Sequence, residues 1–133
     1  MATENKKEYI EVCKLINWLK KRCNDLINDN NEYSIYCSVS DVTRTSKQFV
    51  LAVESFNIDY CKSIYFVLDK QLVNEIEDIM HHAFSTALDY PCGEHALLLG
   101  VDDELVVSSA TAVKLLESFA NELKEYGKQL LTE

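Results

Sequence analysis

The chain has 133 residues, of which 47% are apolar and 26% charged, and a formal net charge of −9. This length and balance are typical of one globular domain, which we expect to cover residues 1–133. The charge disfavours nucleic acid as a partner, and the longest apolar runs, such as Ile64–Leu68 and Ala96–Leu99, are too short for membrane insertion.

The first predicted element is a helix from about Lys6 to Asn28. Its apolar residues recur at spacings of three and four, as one helical face requires: Tyr9, Val12, Ile16, Leu19, Cys23 and Leu26. Leu15 and Trp18 extend this face, so that the apolar arc approaches half the circumference, more than a single core contact needs. Trp18 either closes the edge of the core or belongs to a rim that binds a partner.

Three strands are predicted next. Tyr33–Val39 alternates apolar and polar residues, and Phe49–Phe56 also has two distinct faces. The polar stretch Asp41–Lys47 is the turn between them. Ile64–Leu68 is apolar throughout, which predicts a strand that is central or covered on both faces.

The second half predicts two more helices and a hairpin. Asp69 is a suitable N-cap for a helix that ends at Asp89–Gly93, where a proline and a glycine follow. Leu97–Val101 and Leu105–Val107 form two short strands around a hairpin at Asp102-Asp103. The last helix is capped by Ser108 or Ser109 and continues to about Leu130. The predicted order is helix, three strands, helix, two strands, helix, an α+β domain with a mainly antiparallel sheet.

The cysteines and the N-terminus indicate a cytoplasmic protein. Five cysteines without a CxxC pair are better explained as reduced thiols than as a disulfide framework. The first residues also lack the apolar stretch of a signal peptide. The negative charge is concentrated in residues 69–133, with four basic and thirteen acidic side chains. This half suits a basic protein partner, or it only keeps the domain soluble.

No motif predicts catalysis. Pro91–His95 is similar to the Pro-Cys-x-x-Cys segment of zinc deaminases, but a histidine replaces the second cysteine and the upstream His-x-Glu is missing. Cys92, His95 and a histidine of the second helix could bind zinc, at a spacing too irregular to predict it. Thr43–Lys47 could hold a phosphate, although a polar turn explains it more simply. We therefore predict no enzyme, no metal and no cofactor.

The second half resembles a known family. The stretch Met80–Phe84, then Gly93, then Leu97–Val107 is similar to the helix, glycine and hairpin of the class I type III secretion chaperones. Leu115–Phe119 followed by Leu123 resembles their closing helix. The resemblance is strongest over residues 72–130, and the first 68 residues match in element order alone.

The resemblance implies a cytosolic chaperone that keeps a secreted effector or gatekeeper protein soluble and competent for secretion. Some members also bind transcription proteins. The family pairs as homodimers or heterodimers with a related small chaperone, mainly through the second helix. Carried to this sequence, that interface comprises Ile76, Ile79, Met80, Ala83 and Phe84. The groove for the partner comprises Leu15, Trp18, Leu19, Tyr33, Ile35 and Cys37.

Two other functions remain open. An acidic inhibitor or immunity protein that covers a basic toxin or nuclease would use the negative half without needing apolar grooves. A small-ligand binding module would use the turn Thr43–Lys47 or the cysteines and histidines.

Overall fold

A computed structural model of the chain describes residues 3–27, 32–55, 62–88 and 104–132. These residues form helices and strands in an order that confirms the predicted α+β class: α1 (Thr3–Leu26), β1 (Glu32–Asp41), β2 (Ser46–Ser55), β3 (Lys62–Asp69), α2 (Lys70–Leu88), β4 (Glu104–Ser108) and α3 (Ser109–Thr132). The predicted strand Leu97–Val101 and the hairpin at Asp102-Asp103 lie outside the described residues.

The described strands form an antiparallel sheet in the order β3-β2-β1-β4. In its register Cys37 pairs with Leu51, and Ile35 pairs with Val53. Because side chains alternate along a strand, one face of β1 and β2 collects the apolar residues. Val39 is half-buried there, and the others are buried: Tyr33, Ile35, Cys37, Phe49, Leu51 and Val53.

The helices cover this apolar face, and α3 contacts both of the others. Ser118 Oγ of α3 donates a hydrogen bond to the Ala83 carbonyl of α2 at 3.0 Å. On its other side, Gly127 lies against Tyr9 of α1, where an added Cβ would be 3.4 Å from the ring. Cys23 contacts the Val113 carbonyl at the opposite ends of the two helices, so α1 and α3 are antiparallel. α2 also contacts β2 and β3, while α3 contacts β1 and β4.

Local side-chain hydrogen bonds fix where the elements begin. Asp69 Oδ1 accepts a hydrogen bond from the Leu72 amide at 3.0 Å, which confirms the predicted N-cap of α2. Ser108 Oγ accepts one from the Thr111 amide at 3.3 Å, so Ser108 rather than Ser109 caps α3. These caps satisfy amides that have no partner within the helix.

The turn between β1 and β2 is held by its own hydroxyl groups. Thr43 Oγ1 accepts hydrogen bonds from the amides of Thr45, at 3.2 Å, and Ser46, at 3.1 Å. Its hydroxyl also lies 2.8 Å from that of Ser46. The polar residues thus organise the turn, as the simpler interpretation of Thr43–Lys47 requires.

The position of β3 differs from the prediction. Its apolar run predicted a central or doubly covered strand, but within the described residues β3 lies at one end of the sheet and pairs with β2 alone. Val67 is 59% exposed there. A central position is therefore not found within the described sheet, because an apolar run reports hydrophobicity and not the place of a strand in the sheet; the alternative, a strand covered on both faces, stays a prediction.

Candidate functional site

Most of the residues predicted to bind a partner lie in the core of this chain. Five of the six are buried: Leu15, Leu19, Tyr33, Ile35 and Cys37. Trp18 is the exception, since it is only partly buried against the core. The groove predicted from these five side chains is therefore not open on the surface, and this is a correction to the predicted site.

The residues predicted for the dimer interface are also mostly internal. Ile76, Met80, Ala83 and Phe84 are buried within the single chain. The Phe84 and Phe119 rings pack edge to face, with centroids 6.1 Å apart. Ile79 is partly exposed and remains able to contact another chain.

The wide apolar arcs of α1 and α2 have an intramolecular explanation. α2 packs against α3 on one side and against β2 and β3 on the other, while α1 packs mainly on α3 and touches β3. Two contacts at an angle need a wider apolar surface than one contact does. The arc width therefore indicated a second contact correctly, but that contact lies inside the domain.

A surface groove lies between the first half of α1 and the end of β3. We call it the edge groove; it has a volume of about 690 Å³. Its wall on α1 includes Lys7, Ile10 and Glu11. Thr45 and Ser46 also line it, and β3 contributes Val67, Leu68 and Asp69.

Two exposed apolar side chains line the edge groove. Ile10 is 45% exposed and Val67 is 59% exposed, whereas the other apolar residues of α1 are buried or half-buried. Leu68, beside Val67, packs partly against the core. Fully burying an isoleucine or valine stabilises by roughly 1.5–3 kcal/mol, so each of these half-exposed side chains can contribute about 1 kcal/mol to binding.

Sequence reasoning missed both residues for a definable reason. Ile10 lies off the apolar line of α1, beside Glu11, and an isolated apolar residue on a polar helical face was the signal available. Val67 was hidden within a uniformly apolar run. Only their placement in one groove identifies them as a site.

The backbone of β3 adds a second feature to the edge groove. In the described part of the sheet, β3 has a paired neighbour on one side only. A strand at the end of a sheet presents amide and carbonyl groups that can pair with another extended chain. The edge groove is therefore lined by exposed apolar side chains and by residues of this end strand.

Trp18 lies on the same side of α1 as the edge groove. It follows Glu11 by seven residues, or two helical turns, and so shares its helical face. The Arg22 guanidinium lies over the Trp18 ring, with Cζ 5.7 Å from the centroid. Arg22 is itself buried and pairs with Asp25 at 3.1 Å. This packing places an aromatic ring on the flank of α1.

A second cavity adjoins the edge groove where α1, α2 and α3 meet. This corner cavity has a volume of about 400 Å³. It shares Glu8 and Asp69 with the edge groove, and Glu75 of α2 adds a third carboxylate. Leu72 and Tyr126 form part of its wall. None of the described residues that line it is basic.

A shallow groove also runs along α2 and α3, with a volume of about 650 Å³. Ile79 and Tyr126 line it together with charged residues of both signs, including Glu75, Lys124 and Lys128. One helical turn beyond Ile79, His82 Nδ1 lies 2.8 Å from Glu122 Oε1 and joins the two helices. We call this surface the helix groove.

Metal ligation and membrane insertion find no support among the described ranges. No group of three histidine, cysteine or acidic side chains there could hold a metal ion. Cys92 and His95, the sequence candidates for zinc, lie outside those ranges. In the same ranges, no helix is long and apolar enough to cross a membrane.

Comparison with known proteins finds no family model, no curated protein and no solved structure that matches the chain. The resemblance to class I type III secretion chaperones therefore stays a prediction from the sequence. The function has to be argued from the geometry.

Proposed function

We propose that the chain binds an extended segment of another protein in the edge groove and acts as a cytoplasmic chaperone for a secreted effector or gatekeeper protein. The observation that carries the proposal is the exposure of Ile10 and Val67 in one groove lined by β3, a strand with one paired neighbour among the described residues. Strand addition is a common way to recognise an extended peptide: backbone hydrogen bonds supply affinity, and side-chain pockets supply specificity.

The chain would act as a chaperone by covering apolar side chains of the bound protein. A bound segment covers its own apolar side chains against Ile10, Val67 and the Trp18 flank, so these side chains cannot associate with other unfolded chains. No bond is made or broken. The contact is small, and a segment of a few residues is held weakly unless two copies of the chain bind one cargo together.

The helix groove is the surface we propose for pairing, either as a homodimer or with a related small chaperone. Ile79 supplies an apolar contact at its centre. Lys124 and Lys128 lie beside Glu75 and Glu125, so the groove carries both charge signs and can face a similar surface. This keeps α2 as the pairing helix but replaces its buried residues by Ile79.

A photo-crosslinking side chain placed at position 10 or 67 tests the edge groove directly. Position 27 is the matched control, because Ile27 is 62% exposed, directly follows α1 and is about 25 Å along the helix from Ile10. In native cells, positions 10 and 67 should give adducts on one common segment of one protein. Position 27 should give none on that segment.

The proposal fails if position 27 gives the same adducts as positions 10 and 67, or if the groove positions give none. Adducts formed only from exposed positions of α3, such as Glu125, with a basic toxin or nuclease would support an acidic inhibitor instead.

A further inference from the structure

We propose that the segment bound in the edge groove carries a basic side chain at its N-terminal end and that this side chain enters the corner cavity. The inference rests on the proposed function and specifies the chemistry and direction of the partner. It uses the acidity of the corner cavity and its position at the end of β3.

The two cavities are adjacent, because Glu8 and Asp69 line both. A segment bound in the edge groove therefore has one end next to the corner cavity. Glu8, Asp69 and Glu75 place three carboxylates around the corner cavity, and among the described residues that line either cavity only Lys7 is basic. An acidic side chain of the partner would be repelled here, and a basic one attracted.

The shape of the corner cavity also suits a lysine or an arginine. These residues place an aliphatic stem along apolar surface and keep the charged head near polar groups. Leu72 and Tyr126 supply surface for the stem, while Glu75 and Asp69 receive the head. The edge groove has the opposite balance, with Ile10 and Val67 exposed to an apolar side chain.

The strand direction fixes which end of the segment is basic. Asp69 is the last residue of β3, so the corner cavity lies at the C-terminal end of that strand. Antiparallel pairing is the somewhat more stable arrangement and the more frequent one, and it matches the rest of this sheet. A segment added antiparallel to β3 has its N-terminal end at Asp69. The predicted pattern is a basic residue followed by apolar residues at every second position.

Two synthetic dodecapeptides test this pattern by fluorescence anisotropy with the full chain. Both have alternating serine and valine and blocked termini, and one arginine is placed at either the N-terminal or the C-terminal end. The N-terminal arginine should give about fivefold tighter binding, the effect of one partly exposed ion pair. Raising the salt concentration should reduce the difference, because such charges are screened.

Two variants separate the outcomes. Glu75→Gln should abolish the preference, while Asp78→Asn, an exposed carboxylate one turn along α2 that does not line the cavity, should keep it. Equal affinity of the two peptides, with both weakened by Ile10→Ser, overturns this inference and leaves the edge groove intact. Binding that ignores Ile10→Ser, or no binding of either peptide, overturns the proposed function as well.

Discussion

Replacing Leu15 by alanine distinguishes a core residue from a partner-binding residue. Leu15 is 0% exposed and belongs to the core cluster of α1, the sheet and α3. A buried leucine replaced by alanine loses transfer free energy and leaves a cavity, which together cost about 2–5 kcal/mol. We expect about 3 kcal/mol, since Leu15 is fully buried and the structure around a deleted side chain relaxes only partly.

The assay is urea unfolding at 25 °C, followed by far-UV circular dichroism. For a chain of this length the same loss lowers the melting temperature by roughly 10 °C. Ile10→Ala is the matched comparison, because Ile10 is on the same helix and 45% exposed. It should change the free energy of unfolding by less than about 1 kcal/mol while weakening the binding of cargo.

The reasoning would be refuted by the reverse pattern. If Leu15→Ala unfolds at the wild-type urea concentration but loses its cargo, Leu15 contacts the partner and the described core is incorrect. If Ile10→Ala is as destabilised as Leu15→Ala, the edge groove is part of the core.

Three further outcomes follow from single contacts. Gly127→Ala should raise the free energy of unfolding by about 0.5–1 kcal/mol in urea unfolding, because alanine favours a helix interior and its Cβ would be in ordinary contact with the Tyr9 ring at 3.4 Å. Gly127→Leu should lower it, because the larger side chain overpacks the same contact. Burial, with the charge of Glu117, raises the pKa of the Cys23 thiol from 9.0 to about 11, so the folded chain holds this proton more tightly than the unfolded chain. The bound proton therefore stabilises the fold below pH 9, and this part of the free energy of unfolding is lost as the pH rises towards 11. Urea unfolding at pH 8 and at pH 10.5 measures the loss, and Cys23→Ala should reduce it. Ile79→Glu should shift a dimer to a folded monomer in light scattering, and a dimer that persists would exclude the helix groove as the pairing surface. Met80→Glu should instead unfold the chain, because it puts a carboxylate in the core.

The sequence predicted the elements because each has a strong local signal. The spacing from Tyr9 to Leu26 indicated α1, and the alternation in Tyr33–Val39 indicated β1. Asp69 marked the start of α2 because its carboxylate has a specific use at a helix N-terminus. These signals depend on neighbours within a few residues, so they can be recognised in the sequence without knowledge of the tertiary fold.

The site could not be predicted in the same way. The width of an apolar arc tells how much surface is covered, and not whether a sheet of the same chain or a partner covers it. The family resemblance assigned Leu19 and Met80 to partner surfaces, and both are buried by their own domain. Ile10 and Val67 become a site only when α1 is laid beside β3, 57 positions away in the sequence.

The most direct test of the central claim is amide hydrogen exchange of the chain alone and bound to the protein captured at position 67. The account predicts slower exchange in β3, around Val67 and Leu68, because strand addition gives edge amides new hydrogen-bond partners. Lys114, an exposed residue of α3 that lines neither the edge groove nor the helix groove, should exchange at the same rate in both states. Unchanged exchange in β3, with protection confined to α2 and α3, would contradict the edge groove as the binding site.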